Sequence, residues 1–352
     1  MKQLGEEYVN DFLSLENINQ IKGARIHTSD SNLVDLYEII KNEYENAFCH
    51  VCKRKTFDTF LFEKLKTFAN VDVFESYKVI DAEVYDTHAW VTNGETKINA
   101  KAIVGSYGAS SIIKKTFFKI KKDWKHKHLT VQAYFRNVGQ IKSDTLEIFL
   151  NKEIIPGGIW IFPMKGEVCN VGMGMLVKTL RKNNTDIKTL FMDLIYKTKT
   201  LGGMFETAEL TSDINVRVLP LGQKISKISK ERILLLGDAI SVVNPITGEG
   251  IGQAMNSGRI AALHLDKCLI SNDFSKTKMK EYDKSIARKF NSVIRMSYGI
   301  QRLISFPFLS NRIANNYNKN LKLRKQIESL INDPANYSKI FDPRLYYRIL
   351  VG

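Results

Sequence analysis

Apolar positions recur at two different periods along this chain, and each change of period separates one predicted element from the next. Residues 5–20 gather Tyr8, Phe12, Leu13 and Leu15 on one side, which predicts a short helix. Ala47–Arg54 reads as a strand running into the helix TFDTFLFEKLKTFA, where Phe57, Phe60, Leu61 and Leu65 recur at helical spacing. From Val71 to Gly108 β-branched and aromatic residues predominate, with Asn93-Gly94 as a hairpin turn. Three or four strands fit there, the last being the buried-looking run AKAIVG. Alternating strands return from Leu129 to Val177, broken at Pro156-Gly157-Gly158. Lys178–Gly202 is helical, and NVRVLPLG is another strand. Arg232–Ala239 (RILLLGDA) is a continuous apolar strand ending in Gly-Asp. The loop VVNPITGEG then opens a long helix from Ile251, and Asn272–Gly352 is mainly helical and basic.

Strand–helix units at both ends with a strand-rich middle predict an α/β domain interleaved with a β-sheet domain. The boundaries fall at 1–124 and 231–270 for the two parts of the α/β domain, 125–230 for the sheet, and 271–352 for a helical end. No internal repeat or low-complexity linker interrupts them.

Composition narrows the functional classes. Hydrophobic residues make up 44% and charged residues 25%, enough apolar content for a sizeable core, which excludes disorder. Four cysteines cannot staple 352 residues, so a reducing compartment is the natural setting. No run of eighteen apolar residues exists, and the start MKQLGEEYVNDF has no apolar leader. Lys plus Arg is 52 and Asp plus Glu is 37, a net +15, which suits an acidic partner or simply a lysine-rich proteome. The densest basic cluster, Lys114 to His128, interleaves seven lysines with Phe117, Phe118 and Trp124. No nucleic-acid motif accompanies it, so it reads as a solvated loop that touches a membrane surface. His126 and His128 read as residues of that loop. Cys49 and Cys52 are spaced CxxC, but one such pair cannot fill a zinc site, and the reading is structural. No Ser-His-Asp or paired-carboxylate arrangement stands out, so no catalytic side chain is assigned and no metal site is expected.

The strongest chemical signal is residues 234–262. The apolar strand delivers Asp238 to its carboxyl end, where open α/β sheets bind ligands. Gly248, Gly250 and Gly252 remove side chains where a helix begins, leaving bare N–H groups and a positive dipole end suited to an anionic group. Gly258 and Ala261 are expected to let that helix pack tightly.

Gly237–Ile251 (GDAISVVNPITGEGI) resembles the second flavin-binding motif of the p-hydroxybenzoate hydroxylase-like flavoproteins. Its TGEGI form, with AMNSG after it, is most similar to the geranylgeranyl reductase family. By that resemblance the cofactor is FAD. Asp238, following Gly237, would hold its ribityl–pyrophosphate part, and Pro245 would lie beside the isoalloxazine. After Gly248, the N–H groups of Gly250 and Ile251 would face the N1–C2=O edge. A second stretch, Gly157–Gly174, contains WxFP, eight residues, then GxG, and resembles the family's substrate-pocket signature. It nominates Trp160, Phe162, Pro163, Gly172 and Gly174. Trp160 and Phe162 share a strand face by period two and would form a flat apolar wall. Gly158 stands where the family carries an aromatic. A third stretch, Arg54–Leu61, resembles R-x-x-F-D-x-x-L, whose arginine faces the flavin's phosphate side, as a planar bidentate donor suits.

Three departures accompany the resemblance. Tyr107 stands where the family's GADG strand end has an acid. Leu4-Gly5 aligns where many relatives have Cys-Gly. No GxGxxG occurs before Arg54, with only Gly5 and Gly23 preceding it. The expectation is therefore an incomplete Rossmann-like FAD-binding domain interleaved with an antiparallel β-sheet substrate domain and a helical C-terminal region. Its parallel sheet should expose apolar surface where the family's first strand would lie. The resemblance implies an FAD-dependent oxidoreductase that reduces C=C bonds of a polyprenyl or other hydrophobic substrate by hydride from flavin N5. NAD(P)H or another reductant would charge the flavin. The partners implied are a hydrophobic small molecule or lipid, with no nucleic acid and a peripheral contact with the inner face of the membrane from a cytoplasmic location. Two other readings stand beside it: a flavin-dependent aromatic monooxygenase or halogenase, and a truncated, flavin-free remnant without activity.

Overall fold

A computed structural model describes residues 4–37, 47–110, 112–118, 126–183 and 185–332, together with Arg344 and Ile349. The first third contains helix α1 (Glu6–Leu13), strands β1 (Asn19–Ile21), β2 (Gly23–His27), β3 (Leu33–Asp35) and β4 (Cys49–Val51), and helix α2 (Arg54–Lys66). Strands β5 (Asp81–Val84), β6 (Ala89–Thr92), β7 (Lys97–Ala100) and β8 (Ile103–Gly105) follow, then helix α3 (Ile112–Phe118). The middle holds β9 (Lys127–Arg136), β10 (Thr145–Phe149), β11 (Gly158–Pro163) and β12 (Val168–Leu176), then helices α4 (Val177–Asn183), α5 (Ile187–Lys197) and α6 (Lys199–Phe205). After β13 (Glu209–Leu210), β14 (Asn215–Pro220), β15 (Ser229–Lys230) and β16 (Ile233–Leu235), the chain ends in helices. These are α7 (Ile251–Ser271), α8 (Lys276–Ile304), α9 (Pro307–Lys319) and α10 (Leu321–Asn332). No helix among the described residues is long and apolar enough to cross a membrane.

The architecture is the mixed α/β arrangement the pattern predicts. An eight-stranded sheet runs β13-β9-β12-β11-β10-β2-β3, with β14 also on β9, and is antiparallel except between β10 and β2. It draws β2 and β3 from residues 23–35, far upstream of its other strands. Alternation along β9, β11 and β12 sends Phe135, Ile159, Ile161 and Val171 to one face, where α5 and α6 cover them with Phe191, Leu194 and Phe205. Phe135 meets Phe205 edge-on at 5.4 Å. Part of the opposite face is closed by α9, whose Ala314 and Tyr317 pack against Ala24 and Val34. The remainder of that face carries Trp160.

A second core joins β8 and β16, which pair in parallel, to α7 and α8 through Ile103, Leu234, Leu235, Met279, Tyr282 and Ile286. The Tyr282 hydroxyl donates to the Leu235 carbonyl at 2.8 Å. The hairpin β6–β7 turns at Asn93-Gly94 as predicted. Asn93 Oδ1 accepts the N–H groups of Glu95 and Thr96, and Gly94 adopts φ 100°.

Several elements differ from the sequence expectation. The helix over 5–20 stops at Leu13, because Ser14 Oγ turns back to bond Asp11 O, and Asn19–Ile21 instead pairs with β4. α2 begins at Arg54, inside the predicted strand, and ends at Lys66, short of the predicted Ala69, and it buries no residue. Phe57 and Phe60 meet Phe12 of α1, at 5.5 and 5.3 Å. Lys114–Phe118 is not loop but part of α3, with Ile113 buried beside it. Residues 119–125, including Trp124, lie outside the described residues, as does most of the tail. The run AKAIVG is buried on one side only. Among the described residues β8 pairs only β16, and its other edge faces an apolar groove of about 310 Å³ lined by Val79, Val91, Ile98 and Ile112. Val104 is 40% exposed there.

Candidate active site

The apolar strand β16 ends in a single 3-10 turn, Gly237–Ile240, that presents Asp238. Gly237 takes φ 60° and its N–H donates to the buried Ser257 Oγ at 2.9 Å. A side chain on Gly237 would reach Ala254 Cβ at 3.3 Å. The strand end is thus seated on the first turns of α7 by Ala254 and Ser257. Gly258, expected to serve that purpose, faces open space, while Ala261 is buried. Gly258 lies one turn beyond Ala254, and the close approach to the strand end is made at Ala254 and Ser257.

The loop between them closes on itself. Asn244 N–H donates to Glu249 O, Gly248 N–H to Asn244 O, and Asn244 Oδ1 accepts from Ile246 N–H at 2.9 Å. Gln301 Nε2 of α8 donates to Pro245 O at 2.7 Å, and this contact fixes the proline. Gly248 needs its φ of 69° to complete the turn. Gly250 is the N-cap of α7, with no side-chain cap, so the first-turn N–H groups lack intrahelical partners. A Cβ there would stand 3.5 Å from Asp238 Oδ1 and 3.3 Å from Val243. Bare backbone and a carboxylate therefore share one small space.

Two cations act on Asp238. Burial raises its carboxyl above the ordinary range, opposed by Arg54 and Lys114. Burial lowers Lys114, repulsion from Lys127 adds to this, and Asp238 opposes it. Arg54 is meanwhile held by Asp58 of its own helix at 3.1 Å, which accounts for the R-x-x-F-D spacing. Lys114 was not singled out as a site residue by sequence. Its place in the first turn of the helix after the GSYG strand end was the available signal, masked by the lysines around it.

The wall is built by register. Trp160 lies directly opposite Gly172, and Gly158 opposite Gly174. A Cβ on Gly172 would come within 2.2 Å of Trp160 Cζ2, so the indole rests flat on the neighbouring strand. Trp160 Nε1 donates to Asn170 Oδ1 at 2.8 Å, and Phe162 lies 6.1 Å away at 31°. Pro163, nominated with them, belongs to the other face. It is buried, by the same period of two that sends Ile159 and Ile161 inward, and its carbonyl accepts Asn19 Nδ2. Gly157 has no freedom to change, as a Cβ there would stand 1.8 Å from Gly174 O.

His128 joins the two halves. It is a strand residue of β9, not a loop residue, because β14 pairs alongside and buries it. Its Nδ1 lies 3.8 Å from the Cβ position of Gly174, and its cross-strand neighbour Leu219 reaches to 3.6 Å from that of Gly248. Contacts therefore run from the flavin-type loop through Leu219 and His128 to the glycines under Trp160. Burial lowers the imidazole to about 4, so it is neutral, and Nε2 is buried with no hydrogen-bond partner among the described residues.

Comparison with known proteins gives relatives of one kind. Residues 127–209 match the geranylgeranyl reductase catalytic domain. The chain is geranylgeranyl reductase-like. It is 26% identical over 292 residues to a digeranylgeranylglycerophospholipid reductase of Methanocella arvoryzae, covering 81% of this chain and 71% of that protein. Its fold is similar to a geranylgeranyl bacteriochlorophyll reductase-like protein of Thermoplasma acidophilum, with a TM-score of 0.72 and 20% identity, covering 85% of this chain and 76% of the other. The flavin-dependent halogenase CmlS shares the fold at a TM-score of 0.67 and 16% identity, covering 84% and 54%. The matched domain begins at the first residue of β9 and contains every residue of the wall.

The residues present fit the ring-and-ribityl end of FAD. Gly250 leaves room beside the Asp238 carboxylate, the end of α7 is uncapped, and two cations stand by. Among the described residues no glycine-rich strand-to-helix turn cradles the adenosine half.

Proposed function

We propose that this chain is an FAD-dependent oxidoreductase that reduces C=C bonds of a polyprenyl lipid. One observation carries the reading. The Trp160 wall and the uncapped end of α7 are linked through His128 and Leu219, so an extended apolar chain laid on the wall runs toward the flavin loop. Bound FAD would supply hydride to the double bond, after charging by NAD(P)H or another reductant.

The protein's part is binding, orientation and exclusion of water. Asp238 and the Gly250–Ile251 N–H groups would hold the flavin, with Arg54 and Lys114 neutralising phosphate charge. The α7 dipole favours negative charge on the ring edge nearest it. Trp160 fixes the plane of the wall through its bond to Asn170. Gly172 and Gly174 keep the floor flat, so a chain of isoprene units can lie along it. Buried His128 keeps a neutral imidazole in that floor. The basic surface and lipid substrate together support a peripheral contact with membrane.

The test is anaerobic. Protein loaded with FAD and reduced by dithionite should be reoxidised by a geranylgeranyl lipid, with loss of one C=C per two electrons by mass spectrometry. Reoxidation only by oxygen, coupled to a hydroxylated or halogenated product, would instead favour the monooxygenase reading.

A further inference from the structure

The uncapped end of α7 holds a carboxylate that the flavin contacts do not use. Glu249 directly precedes the cap residue Gly250, and its side chain folds back along the first turn, so that a Cβ on Gly252 would collide with Glu249 Oε1. The main chain of Glu249 is held on both sides. Its N–H donates to Thr247 Oγ1 at 3.2 Å, and its carbonyl accepts Asn244 N–H at 2.9 Å. The carboxyl is not held: among the described residues it makes no hydrogen bond and no ion pair. Glu249 is exposed as a residue, while its carboxyl end lies against the turn. Asp238, the other acid at this end, sits on the strand side, where Arg54 and Lys114 oppose the effect of burial. Neither cation acts comparably on Glu249, whose carboxyl is raised above the ordinary range by burial alone. An uncompensated acid thus stands where the dipole and the free N–H groups would draw the negative edge of a ligand.

We infer that Glu249 is the proton acceptor coupled to flavin reduction: it is ionised beside the oxidised ring and takes up a proton when the ring edge at α7 becomes anionic. The inference rests on the flavin reading of this site. Its cause is electrostatic. The oxidised ring is neutral, so Glu249 meets only the positive end of the helix and keeps its charge. Reduction by two electrons and one proton puts a negative charge on the N1–C2=O edge, toward which the Gly250 and Ile251 N–H groups point. Two like charges within one helical turn raise the proton affinity of one of them. The ring edge has N–H donors to hold its charge, whereas the Glu249 carboxylate has none among the described residues, so the proton goes to Glu249. With NAD(P)H or dithionite as reductant, the site as a whole gains two electrons and two protons. When hydride then passes to the double bond, one carbon takes H− and the other takes H+ from solvent. Glu249 returns its proton to solvent in the same event, and the site regains its starting charge.

The test is a potentiometric titration with dithionite of FAD-loaded wild type, Glu249→Gln and Asp238→Asn, repeated between about pH 7 and 8.5. Two protons taken up with two electrons lower the midpoint potential by about 59 mV per pH unit, and one proton lowers it by about 30 mV. Wild type and Asp238→Asn should follow the steeper slope and Glu249→Gln the shallower one. Affinity for oxidised FAD should be unchanged in Glu249→Gln, because the oxidised edge carries no charge for the carboxylate to oppose. Equal slopes in wild type and Glu249→Gln, at either value, would overturn the inference. So would a shallow slope in Asp238→Asn with a steep one in Glu249→Gln, which assigns the proton to Asp238. A fall of about tenfold or more in oxidised-FAD affinity in Glu249→Gln would overturn it too and make Glu249 a binding residue. In each of these cases wild type still binds FAD. If wild type takes up no FAD, the flavin reading itself fails, and the inference falls with it.

Discussion

The indole of Trp160 lies across Gly172, the residue directly opposite it on the next strand, so the two form one flat surface element. A methyl group at 172 cannot coexist with the indole where it stands. Gly172→Ala should tilt the ring and lower stability by about 1–3 kcal/mol, the range for overpacking. Trp160→Ala should remove part of that penalty, so a double-mutant cycle in urea should show coupling of about 1 kcal/mol. Strict additivity would mean that the ring does not rest on Gly172. Trp160→Ala should also weaken lipid binding while leaving bound flavin intact.

Asp238 is held in a partly desolvated place, an arrangement that benefits a ligand more than the empty protein. Asp238→Asn should leave the melting temperature of the flavin-free protein unchanged or raise it, because a buried carboxylate is costly. Flavin affinity should fall by about 1.5–3 kcal/mol, the scale of a charge-assisted hydrogen bond. Fluorescence titration with FAD reads the second effect and calorimetry the first. Parallel loss of both would make Asp238 a structural residue.

Ser257 accepts the Gly237 N–H in a buried setting. Ser257→Ala should cost about 1–3 kcal/mol, since the amide is left unpaired, and it should raise hydrogen exchange at Gly237 ahead of the rest of β16. An unchanged exchange rate would show that water or another acceptor takes the amide.

His128 ties stability to pH. Its folded-state value of about 4 lies below the ordinary 6.5, so between these values the unfolded chain binds a proton that the folded chain does not. Stability from this group is complete above about pH 6.5 and is lost as pH falls toward 4, by about 3 kcal/mol in total. Denaturant midpoints across that range should fall less steeply in His128→Phe than in wild type. Equal slopes would mean the imidazole is hydrated in the folded protein.

Among the described residues the outer edge of β8 has no strand partner, and such an edge is a template for pairing with another chain. Val104→Lys places a charge on the exposed edge strand and should reduce concentration-dependent self-association in sedimentation experiments, with little change in melting temperature. Unaltered sedimentation would indicate that the edge is already shielded in solution.

The sequence made the motifs legible because they are local. Asp238, the glycines at 248 and 250, and the Trp160 strand each follow from a short run with a fixed period. What stayed hidden depends on pairing between distant segments. His128 looks like one more polar residue of a lysine-rich loop until β14 is laid beside it. Gly172 and Trp160 are twelve residues apart, and only the register of β11 and β12 shows that one exists for the other. Gly258 satisfied the idea of a small residue for close packing, yet the strand end meets the helix one turn earlier, at Ala254 and Ser257. Pro163 was drawn to the wall by its motif, and strand parity sent it to the other face. Lys114 was obscured by its neighbours in the chain, and only its approach to Asp238 separates it from them.

One helix, α8, grips the loop carbonyl of Pro245 through Gln301 and that of Gly222 through Tyr298, and it bears Arg295 and Arg302, which line a cavity with His126. A rigid rod held at these points cannot shift at one without shifting at the others. Any occupant of the basic cavity that turns the rod toward a better grip on the loop must favour flavin by some factor. Reciprocity then requires flavin to favour that occupant by the same factor. Cavity and loop, though they never touch, would then be read by the protein as two halves of a single binding event.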